Sequence, residues 1–269
     1  MSVRKLWILI LAGLIGGHVV IAADAPVPPT PEQGSVDSAG HFTPAGLNRE
    51  LGKASPEQLA ALAKLKQAVS GKNPGERVMA IGDVICDFDK RRIRFPARLN
   101  MIHGELEYVL VASNGKLHES LFSTEVSPEQ IHLAALLLGL EEKALPERFD
   151  DKWAAQKLSV TVSWERNGGS TSIELSKLYI RGARTSGAVP AASPEPPRSG
   201  ACYYHGSRFF KAGFAAQVEG SILGLTRDPS ALMNADVGTG PDLIYTPNSA
   251  QLPRLGSRVD VTLSLPVKP

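Results

Sequence analysis

Cysteine, aromatic side chains and uncompensated charge are all scarce in this chain. Cys86 and Cys202 are the only thiols among 269 residues, far apart and outside any CxxC pair. That spacing argues against a zinc ribbon, a four-thiolate iron–sulfur cluster or a thioredoxin-type dithiol. It leaves two readings open, a Cys86–Cys202 disulfide or two buried free thiols. A bridge would close a long loop and add roughly 3–4 kcal/mol if unstrained. Charge nearly cancels, with 29 basic against 27 acidic residues, and the excess is Arg4 and Lys5 at the N-terminus. A nucleic-acid partner would call for a basic stripe with interleaved aromatics, and none is present. The densest basic cluster, "KRRIR" at 90–94, reads as a turn and the strand after it. Walker A, GxGxxG after a strand and the GxSxG elbow are also missing, so no nucleotide or other cofactor is implied.

What is present begins with an export signature. Arg4 and Lys5 precede an uncharged apolar run from Leu6 to Ile21, and small residues follow at Ala22-Ala23. This reads as a cleaved signal peptide over residues 1–23, and the expected location is periplasmic or extracellular. The run falls short of the roughly 20 apolar residues a span needs, so no stable membrane span is expected after cleavage. Residues 24–53, rich in Pro, Gly, Ser and Ala, read as a disordered tether. Residues 54–71 read as an amphipathic helix, with Ser55 as cap, Pro56 at the first position and a stripe of Leu59, Leu62, Leu65 and Val69. The globular domain is expected over 76–269, interrupted by a Pro/Ser/Ala-rich disordered loop at 183–200.

Within that domain, alternating segments bounded by turn residues predict strands. "RVMAIGDVICDFD" and "RRIRFPARLNM" flank a polar turn at Asp89-Lys90, and Pro96 should mark an edge or bulge. A hairpin is predicted around Asn167-Gly168-Gly169, and "SRVDVTLSLP" should be the last strand. The expected class is α+β: a single antiparallel-sheet-dominated domain with one buried helix after a β-hairpin, plus the N-terminal helix.

The most informative stretch runs from Gly104 to Leu140. Asn114-Gly115 predicts a two-residue hairpin turn, and Ser127-Pro128-Glu129-Gln130 predicts a capping box opening a helix apolar on every side. His118, Glu119 and His132 are the ionisable groups that sit inside this apolar unit. On a regular strand the adjacent His118 and Glu119 would face opposite ways, which leaves His118 to pair with His132 across the sheet–helix seam and Glu119 as a separate buried carboxylate. The expected site is a small pocket or polar network holding His118, Glu119, Ser120 and His132. Each group also has a structural reading, a core histidine bonded to backbone or a carboxylate paired with an arginine at 91–98.

The segments "GELEYVLVASNGKLHESL" and "SPEQIHLAALLLGLE" resemble the YdjY-like domain of exported bacterial proteins, and "YYHGSRFF" with "VEGSILGLTRDPSALMN" resembles its second half. Carried over by position, the motif residues are Lys116, His118, Glu119, Ser120, His132, Gly206 and Ser207. The resemblance implies no defined activity. The expected function is a binding or structural envelope module whose partner is a small ligand or an envelope protein. The alternative is a metal-assisted hydrolase using His118 and His132, with a third ligand from His103, His205 or an aspartate.

Overall fold

The computed structural model describes residues 77–183 without Asn167, then 201–210, 213–236 and 243–266. It also describes a few isolated earlier positions, among them a two-residue ladder between Ser35–Val36 and Phe42–Thr43. The expected signal segment, the helix at 54–71 and the loop at 183–200 fall, apart from isolated positions, outside the described residues, as does the tether beyond that ladder.

The strands are β1 (Val78–Ile81), β2 (Val84–Asp87), β3 (Arg92–Leu99), β4 (Tyr108–Ala112), β5 (Ser120–Thr124), β6 (Lys157–Arg166), β7 (Gly169–Glu174) and β8 (Tyr179–Ala183). They continue with β9 (Ala201–Tyr204), β10 (Phe209–Phe210), β11 (Gly213–Phe214), β12 (Ser221–Gly224), β13 (Met233–Ala235), β14 (Leu243–Pro247) and β15 (Arg258–Ser264). The hydrogen-bonded order β15-β6-β9-β13-β12-β4-β5-β3 closes on itself, because β3 returns to β15 from Arg92↔Ser264 to Arg98↔Arg258. The fold is therefore mostly β, an eight-stranded closed barrel, and not the α+β, antiparallel-sheet-dominated domain with one buried helix expected from the sequence. Closure removes sheet edges, and it rests on a pairing between strands that lie far apart in sequence.

Half of the barrel shows the alternation of a one-sided sheet. Ile93, Phe95, Ala97 and Leu99 of β3, Val259, Val261 and Leu263 of β15, and Leu158, Val160, Val162 and Trp164 of β6 point inward and are buried. Their neighbours in sequence face out. The other half is covered on both faces, and β4 and β12 are buried at every position. Pro96 sits inside β3 at neither an edge nor a bulge. On one side β3 pairs with β15 throughout. On the other it pairs with β2 at Arg92–Arg94 and with β5 at Arg98–Leu99. Pro96 falls in the gap between those two partners, where its missing N–H removes no ladder bond. Its carbonyl accepts from Thr124 Oγ1 at 2.6 Å on that side.

The predicted hairpin at Asn114-Gly115 is a second correction. The turn exists, with Gly115 N donating to Ala112 O at 2.8 Å. The returning chain does not pair back, however. It runs through a 3-10 turn at Leu117–Glu119, and β5 then lies parallel to β4, with Tyr108 beside Ser120 and Leu110 beside Phe122. β12 and β13 repeat the arrangement as a parallel pair joined by an equally short crossover. The two units are related by a pseudo-twofold. Tyr108 and Ser120 open β4 and β5; Ser221 and Met233 open β12 and β13, each 113 positions later. Ala112 N donates to Gly220 O at 2.8 Å, and its symmetry counterpart Leu225 N donates to Glu107 O at 2.7 Å. Both glycines are needed for this close approach: a Cβ on Gly220 would lie 2.6 Å from the Gly115 backbone, and one on Gly115 would lie 2.9 Å from Val111 Cβ and 3.0 Å from Gly220 O.

Helix α1 (Pro128–Leu137) packs against β2, β3 and the short helix α2 (Ala215–Glu219). The expected capping box is absent, since Ser127 makes no side-chain cap bond. Gln217 of α2 supplies the cap instead: its Oε1 accepts from Ser127 Oγ at 2.6 Å and from Glu129 N at 3.4 Å. A Schellman motif ends α1. Gly139, at φ 92°, donates to Leu136 O, and Leu140 N donates to Ala135 O, both at 3.1 Å. This reversal sends the chain back along the helix.

Candidate functional site

The expected site residues divide into two groups. One is interior. His132 is fully buried on α1, between the rings of Phe214 and Tyr204 with centroids at 4.7 and 6.0 Å. Its Nδ1 lies 2.6 Å from Tyr204 Oη at the end of β9. Burial and the Glu142 carboxylate push the Tyr204 phenol well above its ordinary range, so it keeps its proton and donates to Nδ1. Nε2 then carries the hydrogen and lies 2.9 Å from Glu142 Oε1. The Gly139 reversal is what returns Glu142 to His132.

Three more motif residues are buried. Gly206, at φ 85°, gives Glu142 its space: a Cβ there would lie 2.9 Å from Glu142 Cγ and 3.2 Å from its Cα. Ser207, at φ 63°, is buried; its Oγ donates to Ser230 O at 2.5 Å and accepts from Ala216 N at 3.0 Å. Ser120 is likewise buried, donating to Lys116 O at 2.5 Å. Between Tyr204 and Gly206, His205 places Nε2 at 2.9 Å from Asn234 Oδ1. The Asn234 amide nitrogen is committed to Thr226 O at 2.7 Å, which fixes His205 as the Nε2–H donor. Burial lowers the His205 pKa to about 4, so the ring stays neutral.

The second group is at the surface, where the two crossovers meet. The His118 side chain is 80% exposed, and its Nε2 lies 3.7 Å from Glu119 Oε2. The 3-10 turn brings these two together, whereas a regular strand would have separated them. Glu119 is 19% exposed and lies outside the barrel's apolar interior. Lys116 Nζ lies 3.3 Å from Glu119, 4.0 Å from Glu107 and 5.3 Å from the centre of the Tyr108 ring. The Glu107 carboxyl is pushed up by burial and by the neighbouring Glu119 carboxylate. From the other crossover, Asp228 Oδ2 accepts from Tyr108 Oη at 2.9 Å. Ser230 Oγ donates to Glu219 Oε1 at 3.1 Å and accepts from Arg208 Nη2 at 3.0 Å. Burial, and then Asp228, raise the Glu219 pKa.

His118 and His132 are thus not brought together. One ring is in solvent and the other is enclosed by Tyr204, Phe214 and Glu142. Among the described residues no three His, Cys, Asp or Glu side chains converge to hold a metal ion. Cys86 and Cys202 are both buried and free. Cys86 Sγ lies 3.9 Å from Ala134 O, and Cys202 Sγ lies 3.9 Å from Met233 Sδ. Burial raises both thiol pKa values, that of Cys86 to about 12. No helix among the described residues is long and apolar enough to cross a membrane.

Sequence reasoning missed Glu142 and Tyr204 as partners of His132, and Glu107, Asp228 and Glu219 as partners of Lys116 and Tyr108. The only signal for Glu142 was the Gly139 stop signal three residues before it. Nothing local marked Asp228, which the pseudo-twofold delivers. The YdjY domain model matches residues 84–264. No curated protein and no solved structure matches the chain.

Proposed function

The chain belongs to the YdjY domain family, and on that premise we propose that it is an exported envelope binding module, with its recognition surface where the two crossovers meet. One observation carries this reading. Of the motif residues, Ser120, His132, Gly206 and Ser207 are buried and engaged inside the protein, while Lys116, His118 and Glu119 reach solvent. The exposed part of the motif is the part available to a partner. Glu107, Glu119, Asp228 and Glu219 outnumber Lys116 and Arg208, so the surface favours a small ligand carrying an amino group.

The test is a chemical-shift titration of the full chain with spermidine, glucosamine and glucose as probes. Spermidine or glucosamine should move the amides of 116–119 and 228, and Glu119→Gln should abolish the movement. Shifts elsewhere, equal shifts with glucose, or an unaltered response in Glu119→Gln would overturn the reading. The metal-assisted hydrolase has no supporting geometry, because both nitrogens of His132 are already engaged by Tyr204 and Glu142.

A further inference from the structure

A different corner of the barrel carries an arginine cluster with no counter-charge in contact. Arg98 near the end of β3 and Arg258 at the start of β15 lie directly opposite each other in the ladder. Like charges so placed repel and weaken a sheet. Arg254 belongs to the turn that leads into β15, in which Ser257 N donates to Arg254 O and Gly256 N donates to Leu99 O. Arg98 Nη1 reaches the carbonyl of Gly256 at 3.4 Å, which ties this turn to the same corner. All three arginines are exposed, and among the described residues none is ion-paired; Asp260, two positions along β15, is the one acidic group that shares their strands and face. At the tip of the turn Leu255 is 58% exposed, the most exposed large apolar side chain among the described residues.

We propose that this corner docks reversibly onto an anionic phospholipid surface. The three guanidiniums would meet headgroup phosphates, which they bind bidentately, while Leu255 enters the boundary between headgroups and acyl chains. A soluble polyanion would use the arginines but would give an exposed leucine nothing to do, which is why a lipid surface fits better. Peripheral binding of this kind needs both a charge and an apolar contribution. It also relieves the Arg98–Arg258 repulsion that the folded barrel otherwise retains.

The experiment is sedimentation of the full chain with phosphatidylglycerol/phosphatidylcholine vesicles and with pure phosphatidylcholine vesicles at low salt. Partitioning should be at least about tenfold stronger to the anionic vesicles, and should collapse in about 0.5 M salt, where the Debye length is only a few ångströms. Arg258→Gln should weaken it about fivefold, the effect of roughly one basic residue at a charged surface. Leu255→Ser should weaken it as well. Arg166→Gln, at the tip of the β6–β7 hairpin, should leave it unchanged. Comparing variants cancels any contribution from the apolar segment at residues 6–21. Arg258→Gln removes a repulsion and should keep or raise the thermal midpoint, so lost binding cannot be ascribed to unfolding. Equal partitioning of wild type, Arg258→Gln and Leu255→Ser would overturn the proposal. So would equal binding to neutral vesicles, or capture by heparin without binding to vesicles.

Discussion

A methyl group on residue 206 would collide with Glu142 at the point where Glu142 meets His132, and it would sit on a backbone with φ 85°. Gly206→Ala should therefore cost about 2–4 kcal/mol in urea unfolding, through overpacking and the positive φ together. His205 gives a pH signature. Its folded pKa of about 4 lies below the ordinary 6.5. Between those values the unfolded chain binds a proton that the folded chain refuses, so stability is complete above pH 6.5 and falls as the pH drops toward 4. The loss should approach about 3 kcal/mol. The raised pKa values of Glu107, Glu129 and Glu219, each due first to burial, act in the opposite sense. Their contribution is present below the unfolded carboxylate pKa and is lost as the pH rises through the folded values. His205→Gln should flatten the slope between pH 6.5 and 4, measured by unfolding midpoints across that range. At this scale the sequence was legible in part. His132 stood out because a histidine among "IHLAALLL" has no local partner. Its partners could not be read, because Tyr204 lies 72 positions away and Glu142 depends on a reversal at Gly139.

Among the elements, α1 depends on a residue outside itself. Gln217→Ala removes the acceptor for both Ser127 Oγ and Glu129 N. It should cost about 1 kcal/mol, as loss of an N-cap does, and hydrogen exchange should quicken in the first turn of α1 while the turns near Gly139 stay protected. The antiparallel elements were legible from composition. β6 and β7 pair from Arg166↔Gly169 to Thr161↔Glu174, and β15 alternates buried with partly exposed residues along its length. The crossover was not legible. Asn114-Gly115 carries the usual hairpin signal, and the turn forms, but the glycine serves a backbone contact with Gly220 that no local rule anticipates. Glu119 falls in the 3-10 turn before β5 and not on a returning hairpin strand, so alternation placed it in an apolar row that it does not occupy.

The molecule as a whole is defined by two long-range relations, the β3–β15 closure and the pseudo-twofold between the crossovers. Each joins segments more than a hundred positions apart, and period-2 patterning is the same in an open sheet and in a barrel. That is why the strands could be found while the class was misjudged. The core holds both thiols out of reach of solvent, Cys202 on the barrel strand β9 and Cys86 on β2 beneath α1. In the folded protein neither thiol should react with an alkylating reagent at pH 8, and on unfolding both should react. The central claim is that one sequence motif serves two purposes, with His132 holding the interior together and His118 facing outward. Urea unfolding of His132→Ala and His118→Ala tests this most directly. His132→Ala should lose about 3 kcal/mol, because it leaves the Tyr204 hydroxyl without its acceptor and opens a cavity. His118→Ala should stay within about 0.5 kcal/mol of wild type. Equal losses, or a larger loss for His118→Ala, would contradict the division.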